Sequence, residues 1–158
     1  MPGAGKSTLG LLLAKQLGMD FVDTDIIIQV IHNKTLQQII SDSDYLTLRQ
    51  YEQQVLLELE TADKVIATGG SAVYSASGMA HLKANGTVIF LDLDLQQLTQ
   101  RVTDFDSRGI AHRSDQNFED LFAERRPLYQ QYADIRIDCN GLSIDQCLQQ
   151  ITDKLTVG

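Results

Sequence analysis

Residues 1–8 read Met-Pro-Gly-Ala-Gly-Lys-Ser-Thr and contain most of a phosphate-binding motif. The complete motif is a glycine, four further residues and then Gly-Lys-Ser/Thr, so its opening glycine would stand one position before this chain begins. Gly3 and Gly5 allow backbone N–H groups to approach phosphate oxygens closely. Lys6 is suited to the β- and γ-phosphates of a nucleotide, and the Ser7 hydroxyl to Mg²⁺. The segment is therefore predicted to bind phosphate.

A helix is predicted directly after this loop, over residues 7–17. Its leucines recur at helical spacing, and Gly18 is a typical residue just past a helix C-terminus. The N-terminus of such a helix favours an anion, because its first N–H groups are free and its dipole is positive there. An ordinary glycine-rich turn can also precede a helix, but the order Gly-Lys-Ser at the helix start is specific. We therefore also assign Ala4 and Thr8 to the phosphate site.

Carboxylates and glycines follow two short apolar segments farther along the chain. Asp23 and Asp25 follow the first segment, and the pair Gly69-Gly70 follows the second. Ligands of open α/β sheets bind outside the carboxyl ends of the strands. One carboxylate could hold a magnesium-bound water while the other faces a substrate hydroxyl, although aspartates also cap such turns. The glycine pair lets a ligand approach the backbone or simply makes a turn.

The pattern of short apolar segments and longer helical stretches predicts an α/β domain with a central parallel sheet flanked by helices. Arg49 and Glu52 lie one turn apart on one predicted helix, where they could form a simple surface pair. The last strand alternates in polarity, which is typical of a sheet edge. Strands are predicted over residues 20–22, 64–68, 87–91 and 133–138, and helices over 36–40, 45–61, 79–84, 95–103, 118–132 and 143–155.

Composition limits the classes of function that remain. The 158 residues are 43% hydrophobic, which is enough for one domain over residues 1–158. The net charge of −8 argues against nucleic acid or an anionic membrane as the main partner. Neither a signal peptide nor a long apolar run is present, and Cys139 and Cys147 lack metal-type spacing. We expect a cytoplasmic monomer.

The strand that normally leads into a phosphate-binding loop is missing from the predicted elements. Losing an interior strand removes several apolar side chains, each worth roughly 1.5–3 kcal/mol of burial. The stability of a whole domain is only about 5–15 kcal/mol. We therefore expect the domain to be N-terminally truncated here, with the natural product beginning upstream and Met1 an internal methionine or a boundary artefact.

Taken together, the ordered segments resemble the shikimate kinase family, whose P-loop fold is similar to that of nucleoside monophosphate kinases. The resemblance spans nearly the whole chain and implies a three-layer P-loop kinase fold. It also implies transfer of the γ-phosphoryl group of ATP, with Mg²⁺, to the 3-hydroxyl of shikimate in aromatic amino-acid biosynthesis. The matching segments are Gly-Ala-Gly-Lys-Ser (3–7), Phe-Val-Asp-Thr-Asp (21–25), Leu-Arg-Gln-Tyr-Glu (48–52), Val-Ile-Ala-Thr-Gly-Gly (65–70) and Glu-Arg-Arg-Pro-Leu-Tyr (124–129).

On the nucleotide side, the resemblance gives each matching residue a role. Lys6 would bridge the phosphates, and Ser7 would bind Mg²⁺ with Asp23 reaching the ion through water. Arg101 would lie on the adenine side, and Asn140 would belong to the adenine wall.

On the acceptor side, Asp25 would hydrogen-bond the substrate hydroxyls and either take the proton or orient the attacking oxygen. Arg49 and Arg125 would pair with the substrate carboxylate, for which the planar guanidinium is suited. Gly69 and Gly70 would line the substrate.

Among the departures from the family pattern, two concern the acceptor site and a mobile lid over residues 104–117. The family's third glycine is Ser71 here, which is strained if the position needs a positive φ and otherwise adds a hydroxyl beside the substrate. In the lid, glycine stands at position 109 where the family usually has proline. Arg108 is the expected lid arginine and a catalytic residue, with Arg113 as the alternative.

These departures leave two other functions open. One is a kinase for another small hydroxylated carboxylate such as gluconate, since paired arginines fit any carboxylate. The other is a nucleotide-binding module without transferase activity. Retention of Lys6, Asp25, Arg49 and Arg125 argues against the second.

Overall fold

The computed structural model describes residues 1–156, apart from the side chain at position 106. Over these residues, four short strands alternate with eight α-helices and two 3₁₀ turns, as predicted for an α/β domain. The elements are α1 (Lys6–Leu17), β1 (Asp20–Asp23), α2 (Thr24–His32), α3 (Leu36–Asp42), α4 (Tyr45–Glu58), β2 (Lys64–Ala67), a 3₁₀ turn (Ala72–Tyr74), α5 (Ala76–Asn85), β3 (Ile89–Asp92), α6 (Leu95–Arg101), a second 3₁₀ turn (Phe105–Ser107), α7 (Phe118–Tyr132), β4 (Ile135–Asp138) and α8 (Ile144–Thr156).

The strands pair in parallel, in two separate ladders. β1 pairs with β2 so that Asp23 lies opposite Ala67, and β3 pairs with β4 so that Asp92 lies opposite Asp138. The predicted central sheet is thus seen as two hydrogen-bonded pairs within the described residues. A small cavity of about 70 Å³ lies between the pairs, and the phosphate loop contributes Met1 to its lining. An additional strand ahead of the loop stays a prediction.

The main core fixes the helix that follows the phosphate loop. Leu9 and Leu13 of α1 are buried in a cluster with Leu91 of β3, Ile137 of β4 and Ile151 of α8. Full burial of each such side chain contributes roughly 1.5–3 kcal/mol. α1 begins at Lys6 and ends at Leu17, and Gly18 adopts the left-handed conformation (φ 66°) predicted for this helix end. The N-terminus of α1 is therefore held rigidly at one end of the strands.

Helix α2 is an element for which the sequence gives no clear prediction. Its run of three isoleucines, at positions 26–28, is β-branched and favours strands. The helix forms because the Asp23 carboxylate caps it, accepting a hydrogen bond from the Asp25 N–H at 3.0 Å. It ends at His32, and Asn33 caps it in the left-handed conformation (φ 50°). This cap places Asp25 in the first turn of α2, directly after β1.

Two helix boundaries differ from the predicted ones by three residues, each for a local reason. α4 ends at Glu58 rather than at residue 61, because Leu59 is already extended. α5 begins at Ala76 rather than at residue 79, because the Ser75 hydroxyl accepts a hydrogen bond from the Gly78 N–H at 3.0 Å. No helix within residues 1–156 has the length and apolar character needed to cross a membrane.

Candidate active site

A cavity of about 380 Å³ lies between the phosphate loop, the carboxyl ends of β1 and β2, and the segment around residue 109. Charged side chains from five helices and the lid face it. Its lining residues include Pro2, Gly3, Gly5, Lys6, Ser7, Thr8, Asp25, Leu48, Glu52, Gly70, Ser71, Arg101, Arg108, Ala111 and Arg125. Most of the predicted site residues are thus brought together at one place.

The phosphate loop has the conformation that its glycines predict. Gly3 and Gly5 have positive φ angles of 77° and 89°, which disfavour other residues. A Cβ at Gly3 would also lie 2.7 Å from Val102 Cγ2. Lys6 Nζ donates to the Met1 carbonyl at 2.9 Å and lines the cavity. Ala4 differs from its neighbours, because it is buried and its N–H donates to the Met1 carbonyl at 3.3 Å.

Ser7 and Asp23 lie together at the entrance to the phosphate site. The Ser7 hydroxyl donates to Asp23 Oδ2 at 2.5 Å, and the other oxygen of Asp23 caps α2. A hydroxyl and a carboxylate are hard oxygen ligands of the kind that Mg²⁺ prefers, usually together with substrate phosphates and water. The residues present therefore fit the predicted metal.

Asp25 lines the cavity together with Lys6. Burial raises the pKa of its carboxyl, the Lys6 charge lowers it, and the Asp23 charge raises it further. A raised pKa makes a carboxylate a stronger base near neutral pH. Thr24, which is fully buried, accepts a hydrogen bond from the Gly69 N–H at 3.0 Å and so joins the ends of β1 and β2.

Glu52 is a site residue that the sequence did not identify. Its interpretation as half of a surface pair with Arg49 is wrong, because the side chain is only 3% exposed and lines the cavity. It accepts a hydrogen bond from the Ser71 hydroxyl. Burial raises the pKa of its carboxyl to about 7. The missed signal is its spacing, since position 52 lies on the same buried stripe of α4 as Leu48 and Val55.

Two arginines present buried donors without partners. Arg125 is 1% exposed, and its Nη2 donates to the Ala111 carbonyl at 2.5 Å. The Arg49 guanidinium stacks on the Tyr74 ring, 3.6 Å from its centroid. Among the described residues, Arg49 Nε and Nη2 and Arg125 Nε have no hydrogen-bond partner. Buried unpaired donors are costly, so these atoms point to an anionic ligand. Arg125 lines the cavity, whereas Arg49 is not among the described residues that line it.

The lid segment packs down onto α3. Gly109 has a positive φ of 68°, and its N–H donates to Gln37 Oε1 at 2.9 Å. A Cβ at Gly109 would lie 2.6 Å from Leu36 Cβ. Arg108 lines the cavity, whereas Arg113 pairs with Glu124 at 2.9 Å, away from it. The geometry thus favours Arg108 over Arg113 as the arginine that faces the site.

The set of predicted site residues is completed by two glycines and two polar side chains: Gly69, Gly70, Arg101 and Asn140. A Cβ at Gly70 would lie 2.9 Å from Arg125 Nη1. Gly69 packs beneath the cavity against Asp25 and Glu52. Arg101 lines the cavity, and its Nη1 donates to the Gly3 carbonyl at 3.5 Å. Asn140 lies apart from the cavity-lining residues of the described structure, where its Oδ1 accepts from the Asp94 N–H at 2.9 Å.

One cavity is lined by a phosphate-binding loop, a buried carboxylate and a guanidinium with an unpaired donor, and this combination defines a P-loop phosphotransferase for a small anionic acceptor. Comparison with known proteins narrows this class. The shikimate kinase family model matches residues 2–156. The chain belongs to the shikimate kinase family.

Individual relatives agree with this assignment. The chain is 33% identical to a shikimate kinase of Bacillus cereus (strain G9842) over 156 residues, covering 98% of this chain and 94% of the relative. It is 41% identical to a shikimate kinase of Microcystis aeruginosa over 145 residues, covering 90% of this chain and 75% of the relative. A structure of shikimate kinase from Acinetobacter baumannii in complex with shikimate superposes with a TM-score of 0.88 at 31% identity, covering 98% of this chain and 88% of that one.

Proposed function

We propose that this protein transfers the γ-phosphoryl group of ATP to the 3-hydroxyl of shikimate, as a step of aromatic amino-acid biosynthesis. The observation that carries the proposal is the cavity itself. It joins a phosphate loop, the half-buried Asp25 carboxylate and the buried guanidinium of Arg125 within one site. Transfer of a phosphoryl group to a hydroxylated carboxylate needs these three kinds of group at one site.

On the nucleotide side, backbone N–H groups of residues 3–8 and the N-terminus of α1 would bind the phosphates. Lys6 would neutralise negative charge on the β- and γ-phosphates. Ser7 and Asp23 would hold Mg²⁺, which when bound neutralises phosphate charge in reactions of this kind. Arg101 would lie beside the nucleotide, and Asn140 would support the adenine wall through the loop that follows β4.

On the acceptor side, Asp25 would take the proton from the hydroxyl of the substrate. The hydroxyl oxygen forms a bond to the γ-phosphorus while the bond from that phosphorus to the β,γ-bridging oxygen breaks. The electron pair of the broken bond leaves on ADP, and the proton remains on Asp25. Burial favours this role because it raises the pKa of the Asp25 carboxyl.

Arg125 would bind the carboxylate of the acceptor through its unpaired Nε, and Arg49 would contribute its unpaired Nε and Nη2. Gly70 leaves room for the acceptor next to Arg125, since any side chain there would meet the guanidinium. Arg108 would bring positive charge to the transferring phosphoryl group when the lid is closed.

The test is ADP release measured in a coupled assay with ATP and Mg²⁺, with shikimate, with gluconate and without an acceptor. We expect release that depends on shikimate and that Asp25→Asn abolishes while ATP binding is retained. Release that depends on gluconate would assign the site to another acceptor. Binding of ATP with no acceptor-dependent release would assign the chain to nucleotide binding without transfer.

A further inference from the structure

Ser71 occupies the position where the family pattern predicts a third glycine. The structure gives it φ −95° and ψ 1°, outside the left-handed region, so serine is accommodated without backbone strain. The side chain is 6% exposed and lines the cavity. Its hydroxyl donates to Glu52 Oε2. The serine therefore adds a specific buried contact that glycine does not provide.

The second oxygen of Glu52 is buried next to Gly69 and Asp25. Glu52 Oε1 is buried and has no hydrogen-bond partner within the described part of the chain. A Cβ at Gly69 would collide with this oxygen and would lie 2.7 Å from Asp25 Oδ1. Glu52 Oε1 and Asp25 Oδ1 thus converge on the same backbone position. One carboxylate oxygen of Glu52 is held by Ser71, and the other has no partner and lies beside Asp25, the proposed base.

We propose that Ser71 is a positioning residue of the acceptor site, which holds the carboxyl group of Glu52 with Oε1 turned toward Asp25, the proposed base. The proposal rests on the proposed function for the identity of the acceptor. The geometric part of the proposal, which is the pairing of Ser71 with Glu52, does not depend on the proposed function. In this chain, the charge of the acceptor pocket then depends on a hydroxyl that glycine lacks.

The charges that surround Glu52 explain why a single hydrogen bond matters there. Burial raises the pKa of its carboxyl to about 7, and the Ser71 hydroxyl opposes that rise, as do the charges of Arg125 and Lys6. The negative charge of Asp25 raises the pKa of Glu52 further. Tyr129, whose hydroxyl donates to the Gly70 carbonyl at 2.6 Å, also faces this group of charges. Glu52 therefore titrates close to neutral pH, where losing one donor changes its charge.

The experiment is a ¹³C-carboxyl NMR titration of Glu52 in the substrate-free protein, for the unaltered chain, Ser71→Ala and Ser71→Thr. In Ser71→Ala, we expect the midpoint to move to higher pH by about one unit, since a hydrogen bond to a charged group is lost. Ser71→Thr keeps the hydroxyl and should restore the original midpoint. Ser71→Gly, which restores the family residue, should behave as the alanine variant does. An unchanged midpoint in both the alanine and the glycine variants would overturn the proposal.

Kinetics then separate positioning from a general structural effect. In Ser71→Ala, we expect the acid limb of kcat/KM for shikimate to move to higher pH by about one unit while KM for ATP stays unchanged. In the Glu52→Gln background, Ser71→Ala should no longer shift the acid limb of kcat/KM. Equal changes in KM for ATP and for shikimate, with the acid limb in place, would contradict the proposal. If the unaltered chain does not phosphorylate shikimate, the proposed function fails, and the NMR titration still decides the pairing of Ser71 with Glu52.

Discussion

Replacing Gly69 by alanine introduces a methyl group between the two carboxylates of the acceptor site. The new Cβ would lie 2.7 Å from Asp25 Oδ1 and would collide with Glu52 Oε1, whereas real Cβ atoms essentially never approach within 3.0 Å. Both carboxylates are attached to helices whose backbones are fixed by packing, so their ends must move. The backbone itself accepts alanine, since Gly69 does not have a positive φ.

A displacement of about 1 Å at a reacting group lowers the rate by about 100-fold. We therefore expect Gly69→Ala to reduce kcat for shikimate phosphorylation by about that factor. ATP affinity should be nearly unchanged, because neither Asp25 nor Glu52 is among the residues proposed to bind the nucleotide. Turnover is measured by shikimate-dependent ADP release, nucleotide affinity by calorimetric titration, and folding by thermal unfolding.

The matched control is Gly86→Ala, at an exposed position where the nearest heavy atom to a new Cβ is the Leu82 carbonyl oxygen at 3.5 Å. This substitution should leave turnover unchanged. Unaltered turnover in Gly69→Ala would refute the placement of Asp25 and Glu52 against this glycine. A large fall in melting temperature for Gly69→Ala alone would show that the position serves folding rather than the acceptor site.

Three other predictions concern the lid and the buried acid. Arg108→Ala should lower kcat by about 10³-fold or more with little change in ATP affinity, because an arginine in this role acts on the transition state; equal modest losses in kcat and affinity would count against the assignment. Gln37→Ala removes the acceptor of the Gly109 N–H and should raise the ratio of ATP hydrolysis to shikimate phosphorylation, measured as ADP released per shikimate 3-phosphate formed; an unchanged ratio would show that the contact does not close the site. The pKa of Glu52 is higher in the folded state (about 7) than its ordinary value of 4.5, so its contribution to stability is present below pH 4.5 and is lost as the pH rises through 7. In urea titrations, Glu52→Gln should therefore gain stability relative to the unaltered chain between pH 5 and 8, by up to about 3 kcal/mol; a constant difference across that range would contradict the raised pKa.

The phosphate-binding half of the site is predictable from the sequence because its chemistry is local. Gly3, Gly5, Lys6 and Ser7 are adjacent, and the helix that they begin follows from a simple leucine period. Residue types alone fix both the turn and the anion site. The structure accordingly shows the loop conformation that the glycines predict.

The acceptor half is less predictable because it depends on side chains that are far apart in the sequence. Glu52 and Ser71 meet only because α4 packs against the turn after β2, and the pairing changes the charge behaviour of the glutamate. The stacking of Arg49 on Tyr74 has the same origin. The burial of a carboxylate on an apolar stripe is visible in the sequence, but its partner is not.

Helix α2 shows a different limit of sequence-based prediction. Three adjacent β-branched residues favour a strand, yet the Asp23 cap and the packing of Ile28 against α4 determine a helix. Tertiary contacts override intrinsic propensity at this point. The consequence is functional, since the first turn of this helix carries Asp25.

The most direct measurement is transfer of label from [γ-³²P]ATP to shikimate, with chromatographic separation of the products. The account predicts labelled shikimate phosphate as the main product with the unaltered protein and almost none with Asp25→Asn. It also predicts that gluconate remains unlabelled under the same conditions. Label that appears only as inorganic phosphate, or on gluconate in place of shikimate, would contradict the central claim that this cavity positions shikimate for phosphoryl transfer.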